Sequence, residues 1–505
     1  MSIINSIASW WMRKRTHQIE LFMKYPSEVQ QEWLSKLIDA AKDTWWGRKH
    51  GYNSIRHWED FVRQVPLQDY ESLKGIIERV RKGEQNILWP TETKWFARSS
   101  GTTNDKSKFI PVTSESLDGC HYNGGRDMMT IYCNNNPETK VFTGKNLGLA
   151  GSKASFHHRD HESFYGDLSA IMISNLPLWA EFFRAPDLSI ALMEDWNMKL
   201  EKLTEATMNE NITSLAGVPS WMLVVLKHIM EKKKAASIRD VWPSLEVYFH
   251  GGVSFQPYRS QFDALFGKDV RLLELYNASE GFFGIQDRSD SDEMLLMLDY
   301  GIFYEFLPAG EWDKKEGKTV SLSEVRMDVP YSIVISTTAG LWRYNLGDTI
   351  VFTSTSPYRF RITGRTKLFI NLAGEELMID NAEKAIRIAC EKTGSVITEF
   401  TAGPAYVSEK GGGHEWLIEF EKSPENISYF TELLDNALKS LNSDYEAKRF
   451  NDLALEMPRV RVLKRGTFFE WFKGKGKLGG QNKVPRLAND RRFIEEIYAV
   501  ERVQV

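Results

Sequence analysis

The run Ser99-Ser100-Gly101-Thr102-Thr103-Asn104-Asp105-Lys106-Ser107-Lys108 brings together the residue types that a polyphosphate needs. Hydroxyls and backbone N–H groups donate hydrogen bonds, lysine adds a point charge, and a glycine lets the main chain come close. The same composition describes an ordinary loop between periodic segments, so the run alone leaves both readings open. It is not a Walker P-loop, because the Gly-x-x-x-x-Gly-Lys-Ser/Thr spacing is missing. A second run, Tyr276-Asn277-Ala278-Ser279-Glu280-Gly281, sets a ring beside a hydroxyl and a carboxylate, a combination able to stack on a base and hold Mg²⁺. A third, Leu341-Trp342-Arg343-Tyr344-Asn345-Leu346-Gly347-Asp348, ends in an Asp of the type that accepts two hydrogen bonds from a ribose diol. Each of these is equally a turn, the last with its Asp bonded to nearby amides.

Elements must hold such groups in place. The pattern predicts helices over Pro26 to Lys49 and over Asp69 to Lys82, the second capped by Asp69 with Leu73, Ile76, Ile77 and Val80 at helical spacing. Strands are expected at 171–173, 245–249, 272–275 and 332–336, with helices around 221–233 and 258–266 between several of them. That alternation is the signature of an α/β body whose sheets are covered by helices. The strand at 272–275 delivers Tyr276 to its carboxyl end, where open α/β sheets bind ligands. Beyond Ile362-Thr363-Gly364-Arg365-Thr366-Lys367 the order becomes helix (379–392), strand (416–421), helix (427–441), strand (460–463), that of a small α+β domain. The basic, glycine-rich run from Lys473 to Gly480 reads as a solvated turn.

The chain has 505 residues, too many for one hydrophobic core. Its 42% hydrophobic and 26% charged composition is that of a soluble globular protein, and a net charge of −4 gives no reason to expect nucleic acid. Cys120, Cys133 and Cys390 are scattered and odd in number, which fits a reducing cytoplasm better than a disulfide framework. The N-terminus from Met1 to Arg15 has its basic residues after a short apolar part and reads as an amphipathic surface helix, not a signal peptide. No apolar stretch reaches the ~20 residues of a membrane span.

Together and in order, the three runs resemble the acyl-acid amido synthetases of the auxin-responsive family, a branch of the adenylate-forming enzymes, in a bacterial-type member. The family's Ser-Ser-Gly-Thr-Thr-x-Gly-x-x-Lys is met from Ser99 to Lys108 with Asp105 for the second Gly. Its Tyr-x-x-Ser-Glu is met by Tyr276, Ser279 and Glu280, and its Tyr-Arg-x-Gly-Asp by Tyr344, Gly347 and Asp348, with Asn345 for Arg. The likeness extends to 215–221, to Phe249-His250-Gly251-Gly252-Val253, to 166–170 and to the tail Gln481-Asn482-Lys483-Val484-Pro485-Arg486.

The resemblance implies a large N-terminal adenylate-forming domain (1–364) binding ATP and an acid, and a small, mobile C-terminal α+β domain (365–505). It implies activation of a carboxylic acid as acyl-adenylate, then transfer to an amino acid's amine, with AMP and pyrophosphate released. Ser99, Ser100, Gly101, Thr102, Thr103 and Lys108 would hold the phosphates, with Thr103 also catalytic. Glu280 would hold Mg²⁺ and assist catalysis; Tyr276, Ser279, Gly251 and Gly252 would take the adenine side. Asp348 would hold the ribose, Arg365 would touch ribose or phosphate beside the Gly364–Lys367 hinge, and Lys483 would serve adenylation. Asp105 sets a negative charge by the phosphates, and Asn345 removes a cation that neighbouring Arg343 is positioned to replace. An acyl-CoA ligase and a non-catalytic nucleotide sensor are the rival readings, the latter disfavoured by the intact Lys108, Glu280, Asp348 and Lys483. The histidines of Phe156-His157-His158-Arg159-Asp160-His161 lack metal-ligand spacing and read as exposed loop residues, and Arg159 and Arg184 as surface groups that could pair with an acid. The oligomeric state stays open.

Overall fold

The computed structural model describes the chain apart from residues 1–2, 100–107, 177, 253–254, 256–257, 268, 313, 315, 367–368, 371–374, 376, 406–412, 450–454, 477, 479–482, 489 and 504–505. Local signals explain many of its elements. The helix Tyr70–Arg81 starts where Asp69 accepts from Ser72 N at 2.9 Å and Ser72 answers on Asp69 N, a reciprocal cap. Leu73, Ile77 and Val80 are its buried face. The stretch expected as one helix from Pro26 divides into Pro26–Ala41 and Trp45–Lys49, because Thr44 leaves helical geometry and caps the second at Gly47 N. The N-terminal helix runs from Ile3 to Lys24.

Among the described residues the strands form four sheets. One has four strands: β1 (Trp95–Ser99), β2 (Lys108–Val112), β4 (Lys153–His158) and β5 (His161–Gly166), in the order β2-β1-β5-β4. The principal sheet has eleven: β3 (Lys145–Gly148), β6 (Arg184–Ala185), β7 (Ile212–Gly217), β8 (Val247–Gly251), β9 (Arg271–Ala278), β10 (Gly281–Ile285), β11 (Met294–Leu296), β12 (Ile302–Pro308), β13 (Pro330–Thr337), β14 (Tyr344–Thr355) and β15 (Tyr358–Arg365). Its order is β12-β13-β14-β15-β11-β10-β9-β8-β7-β3-β6. The β6-β3-β7-β8-β9 half is parallel, and the remainder is antiparallel. Helices Pro219–Lys233 and Arg259–Phe266 pack Trp221, Leu226 and Phe262 with Tyr248 in one core on the parallel half. After the short pair β16 (Phe369–Ile370) and β17 (Leu377–Met378), the smaller C-terminal unit has its own core. There Phe400 and Trp416 of β18 (Val396–Pro404) and β19 (His414–Lys422) meet Leu434 of helix Ile427–Leu441, and β20 (Arg459–Leu463) completes the sheet. The fold is therefore α/β with a large N-terminal part and a smaller C-terminal α+β part.

Two expectations are corrected. The apolar run 171–173 lies in a helix, Leu168–Ser174, since a short apolar run has no periodicity to separate strand from helix. The histidine segment is the hairpin β4–β5, turning at Arg159, whose φ is +53°.

The N-terminal helix is tied down by charge. Arg15 Nε donates to Asp127 Oδ1 at 2.8 Å, and its Nη1 meets Asp299 Oδ2 at 2.5 Å. Tyr300 donates its hydroxyl to Asp127 Oδ2 at 2.7 Å. Asp127, on helix Tyr122–Asn135, is 0% exposed.

Candidate active site at the carboxyl ends of the central strands

The candidate residues are brought to one place by strand register. Ser279 and Glu280 are the two-residue turn joining β9 to β10, with Ala278 paired to Gly281. Asp348 of β14 stands opposite Arg365, the last residue of β15. Between Asn345 and Thr349 strand β14 bulges against β13, re-aiming Asp348 out of the regular ladder. Gly347 carries the φ of +76° that the bulge needs. Asn345 Oδ1 stabilises it by accepting from Gly347 N at 2.9 Å and from the Ser332 hydroxyl at 2.6 Å.

Around Asp348 the polar groups converge. Tyr276 donates its hydroxyl to Oδ2 at 2.6 Å, and Arg365 Nε pairs with Oδ1 at 2.7 Å while its Nη2 reaches Leu346 O at 3.1 Å. The Tyr276 ring is 6% exposed and packs on Phe283 and Phe360. Burial raises the Glu280 carboxyl above its usual range, with Lys108 pulling down and Asp348 pushing up. Asp348 first of all keeps the Arg365 guanidinium firmly charged.

Lys483 arrives from the far end of the chain. Pro485, Arg486 and Ala488 are stitched to β18, Arg486 O accepting from Ala402 N and Ala488 N donating back to Ala402 O. Arg486 reaches across to the larger part, donating to Tyr258 Oη at 3.0 Å, and it also pairs with Glu399. Gln261 Nε2 to Ile397 O and Lys227 to Glu421 add two further bonds across this seam. Lys483 is thereby set against Gly252, where a Cβ would lie 3.5 Å from its Nζ and where φ is +83°. A side chain at Gly252 would therefore be strained in its backbone and would lie in van der Waals contact with the amine. Burial lowers the Lys483 pKa to about 8, opposed by Asp348 and Glu280 and assisted by Arg365. Gly251 has a separate reason to be glycine, since a Cβ there would sit 2.3 Å from Leu275 O of β9.

Of the sequence-predicted residues, Lys483, Gly252, Glu280, Tyr276, Asp348 and Arg365 form this cluster. Ser100, Gly101, Thr102, Thr103 and Lys367 lie outside the described residues. Ser99 and Lys108 are paired across β1 and β2, on either side of the run between them. Arg343 is a correction. It cannot stand in for a cation at position 345, because its guanidinium is buried against Glu305 and bonded to Val62 O, Val65 O and Thr319. Arg184 is likewise engaged, with Glu181 and Pro186 O. Among the described residues no cluster of His, Cys, Asp and Glu is built to hold a metal on its own. That leaves Glu280 able to supply one carboxylate to an ion whose other ligands are phosphates and water, the usual Mg²⁺ arrangement.

Lys199 belongs to none of the three runs, yet its Nζ donates to Ala150 O at 2.6 Å beyond the end of β3. Burial lowers its pKa to about 8, with Asp167 opposing. The signal was present, because Trp196, Lys199 and Leu203 share the buried face of helix Trp196–Thr207.

The pattern of the GH3 family N-terminal domain matches residues 15–271, that of its central domain 295–365, and that of its C-terminal domain 380–492. The chain belongs to the GH3 family. Relatives extend over nearly its whole length. The indole-3-acetic acid-amido synthetase GH3.3 of Arabidopsis thaliana is 22% identical over 92% of this chain and 90% of its own. The jasmonoyl–L-amino acid synthetase JAR4 of Nicotiana attenuata is 23% identical over 93% and 92%. Among solved structures, the GH3.15 acyl acid amido synthetase superposes with a TM-score of 0.81 over 96% of this chain and 95% of that one, at 17% identity, which establishes the shared fold.

Proposed function

We propose that this GH3-family protein is an ATP-dependent acid–amino-acid ligase. It activates a carboxylic acid as an acyl-adenylate and passes the acyl group to the amine of an amino acid, with AMP and pyrophosphate as the other products. The observation that carries this reading is the convergence of Lys483, Glu280, Asp348 and Arg365 at the carboxyl ends of the central strands, the position where open α/β sheets bind nucleotides. The activities in the relatives' names, amido synthetase for indole-3-acetic acid and amino acid synthetase for the jasmonoyl group, support the reaction class.

In the first step the acid's carboxylate oxygen attacks the α-phosphorus of ATP and pyrophosphate leaves. Such a step depends on positioning and on neutralising charge. Ser99, Ser100, Gly101, Thr102, Thr103 and Lys108 would bind the phosphates, Asp348 the ribose, and Gly251, Gly252, Tyr276 and Ser279 the adenosine side. Lys483 would aim its charge at the α-phosphate as negative charge builds there. When bound, Mg²⁺ on Glu280 would neutralise phosphate charge. In the second step the neutral amine attacks the acyl carbonyl and AMP departs. We infer that residues 1–364 are the ATP- and acid-binding part and that 365–505 move about the segment following Gly364 between the two steps.

The three cysteines are unpaired, which supports a cytoplasmic protein, and no helix among the described residues is long and apolar enough to cross a membrane. The test is product analysis by chromatography and mass spectrometry with MgATP, a panel of acids and the amino acids, and a parallel reaction containing CoA. AMP, pyrophosphate and an acyl–amino-acid mass are expected. A thioester formed only with CoA would replace this reading with that of a CoA ligase, and intact bound ATP across the panel would replace it with that of a sensor.

A further inference from the structure

We propose that Tyr276 is a positioning residue for the nucleotide sugar and that it acts through its hydroxyl on Asp348. The inference rests on the nucleotide-site reading above and adds a role to it.

The ring is 6% exposed and already lies against Phe283, 4.9 Å between centroids, and edge-on to Phe360 at 6.0 Å. The ring is thus largely spent on packing, and the functional end of the side chain is its Oη, 2.6 Å from Asp348 Oδ2. Arg365 Nε holds the other oxygen at 2.7 Å. A carboxylate oxygen has about two acceptor directions. Among the described residues, one donor on each oxygen, from two different strands, therefore fixes the plane of the group and leaves one acceptor direction on each. Two acceptors in a fixed plane are the complement of a vicinal diol, which presents two hydroxyl donors.

The same three residue types recur in Tyr300, Asp127 and Arg15, and there the outcome is different. Arg15 uses both Asp127 oxygens, Tyr300 donates to one of them, and the carboxylate is 0% exposed. Asp348 is 19% exposed. The triad on Asp348 is thus the open version, with its carboxylate oriented and still reachable.

The experiment is calorimetric binding of ATP and of 3′-deoxy-ATP without acid substrate, for the wild type, Tyr276→Phe, Asp348→Asn and the double variant. The wild type should prefer ATP by roughly tenfold, the scale of one hydrogen bond to a charged group. Tyr276→Phe keeps the ring. It should bind the deoxy nucleotide as the wild type does and cut the preference to about twofold, and the double variant should lose no more than Asp348→Asn alone. A Tyr276→Phe protein that keeps the full preference overturns the inference. So does one that weakens for both nucleotides equally, because that marks a ring or packing role. Wild type that binds ATP without any preference also overturns it, leaving the nucleotide site standing. Wild type that binds neither nucleotide overturns the site itself. Site-specific 3-fluorotyrosine at 276 keeps the ring and alters the donor strength of the phenol, so the preference for ATP should change while affinity for the deoxy nucleotide holds, and an unchanged preference counts against the proposal even if Tyr276→Phe does not fold.

Discussion

Two clusters in this protein use the same three side-chain types for opposite purposes. Arg15, Asp127 and Tyr300 lock the first long helix to the body, with the acid fully covered and the guanidinium shared with Asp299. Arg365 and Tyr276 instead take one oxygen each of Asp348, and an amine, Lys483, and a second carboxylate, Glu280, stand around the acid. Their chemistry hardly differs; their surroundings do. A buried acid whose hydrogen bonds are all internal serves cohesion, whereas one set on a strand bulge at the mouth of a sheet is held ready for something else.

If that contrast is right, the first cluster should break stability and the second should break function. The largest expected effect is Arg15→Ala, which removes the guanidinium bonded to both oxygens of buried Asp127 and leaves it the more distant Arg126 Nε at 3.6 Å; it should cost about 3 kcal/mol by urea unfolding. Activity per folded molecule should be unchanged; a marked loss of it would erase the distinction. Next comes Lys483→Ala, expected to lower the adenylation rate by roughly 10²–10³ while moving ATP affinity less than about threefold. Equal losses in rate and binding would mean that Lys483 grips the ground state only. The third expected effect concerns pH. Because burial lowers Lys483 to about 8, its cation is present below that value and lost above it. Adenylation kcat/KM, which reports the free enzyme, should therefore fall as pH rises through about 8. Lys483→Arg should abolish that limb, and an unchanged profile would assign the limb to another group. The smallest is Asn345→Ala, which removes the acceptor for Ser332 and Gly347 on the bulge. It should cost about 1 kcal/mol in stability and raise KM for ATP a few-fold.

The sequence made parts of this contrast readable. The ring and acids of the second cluster belong to runs whose composition announces them, whereas Arg365 and Lys483 are named only by the family resemblance; helix Ile427–Leu441 and strand β9 fall where periodicity and apolar runs expect them. Arg15 looked like one basic residue in a surface helix, because nothing local tells that Asp127 and Asp299 will meet it. Arg343 looked available beside Asn345 for the converse reason, as its partner Glu305 lies on a different strand. The Tyr276–Asp348 bond was equally hidden, since it depends on the pairing of β9 through β15 and on a bulge that no residue pattern encodes. Local chemistry is written in the runs, and who faces whom is settled by register.

The location of Lys483 has a consequence during synthesis. The strands that carry Glu280, Asp348 and Arg365 leave the ribosome well before the segment containing Lys483, and domains generally fold in that order. On the roles proposed above, a growing chain would assemble the sugar and metal contacts while lacking the charge assigned to the chemical step. If Lys483 serves adenylation as proposed, ATP cleavage would wait for the segment that carries it, so a chain cut short before that segment would be a poor consumer of ATP.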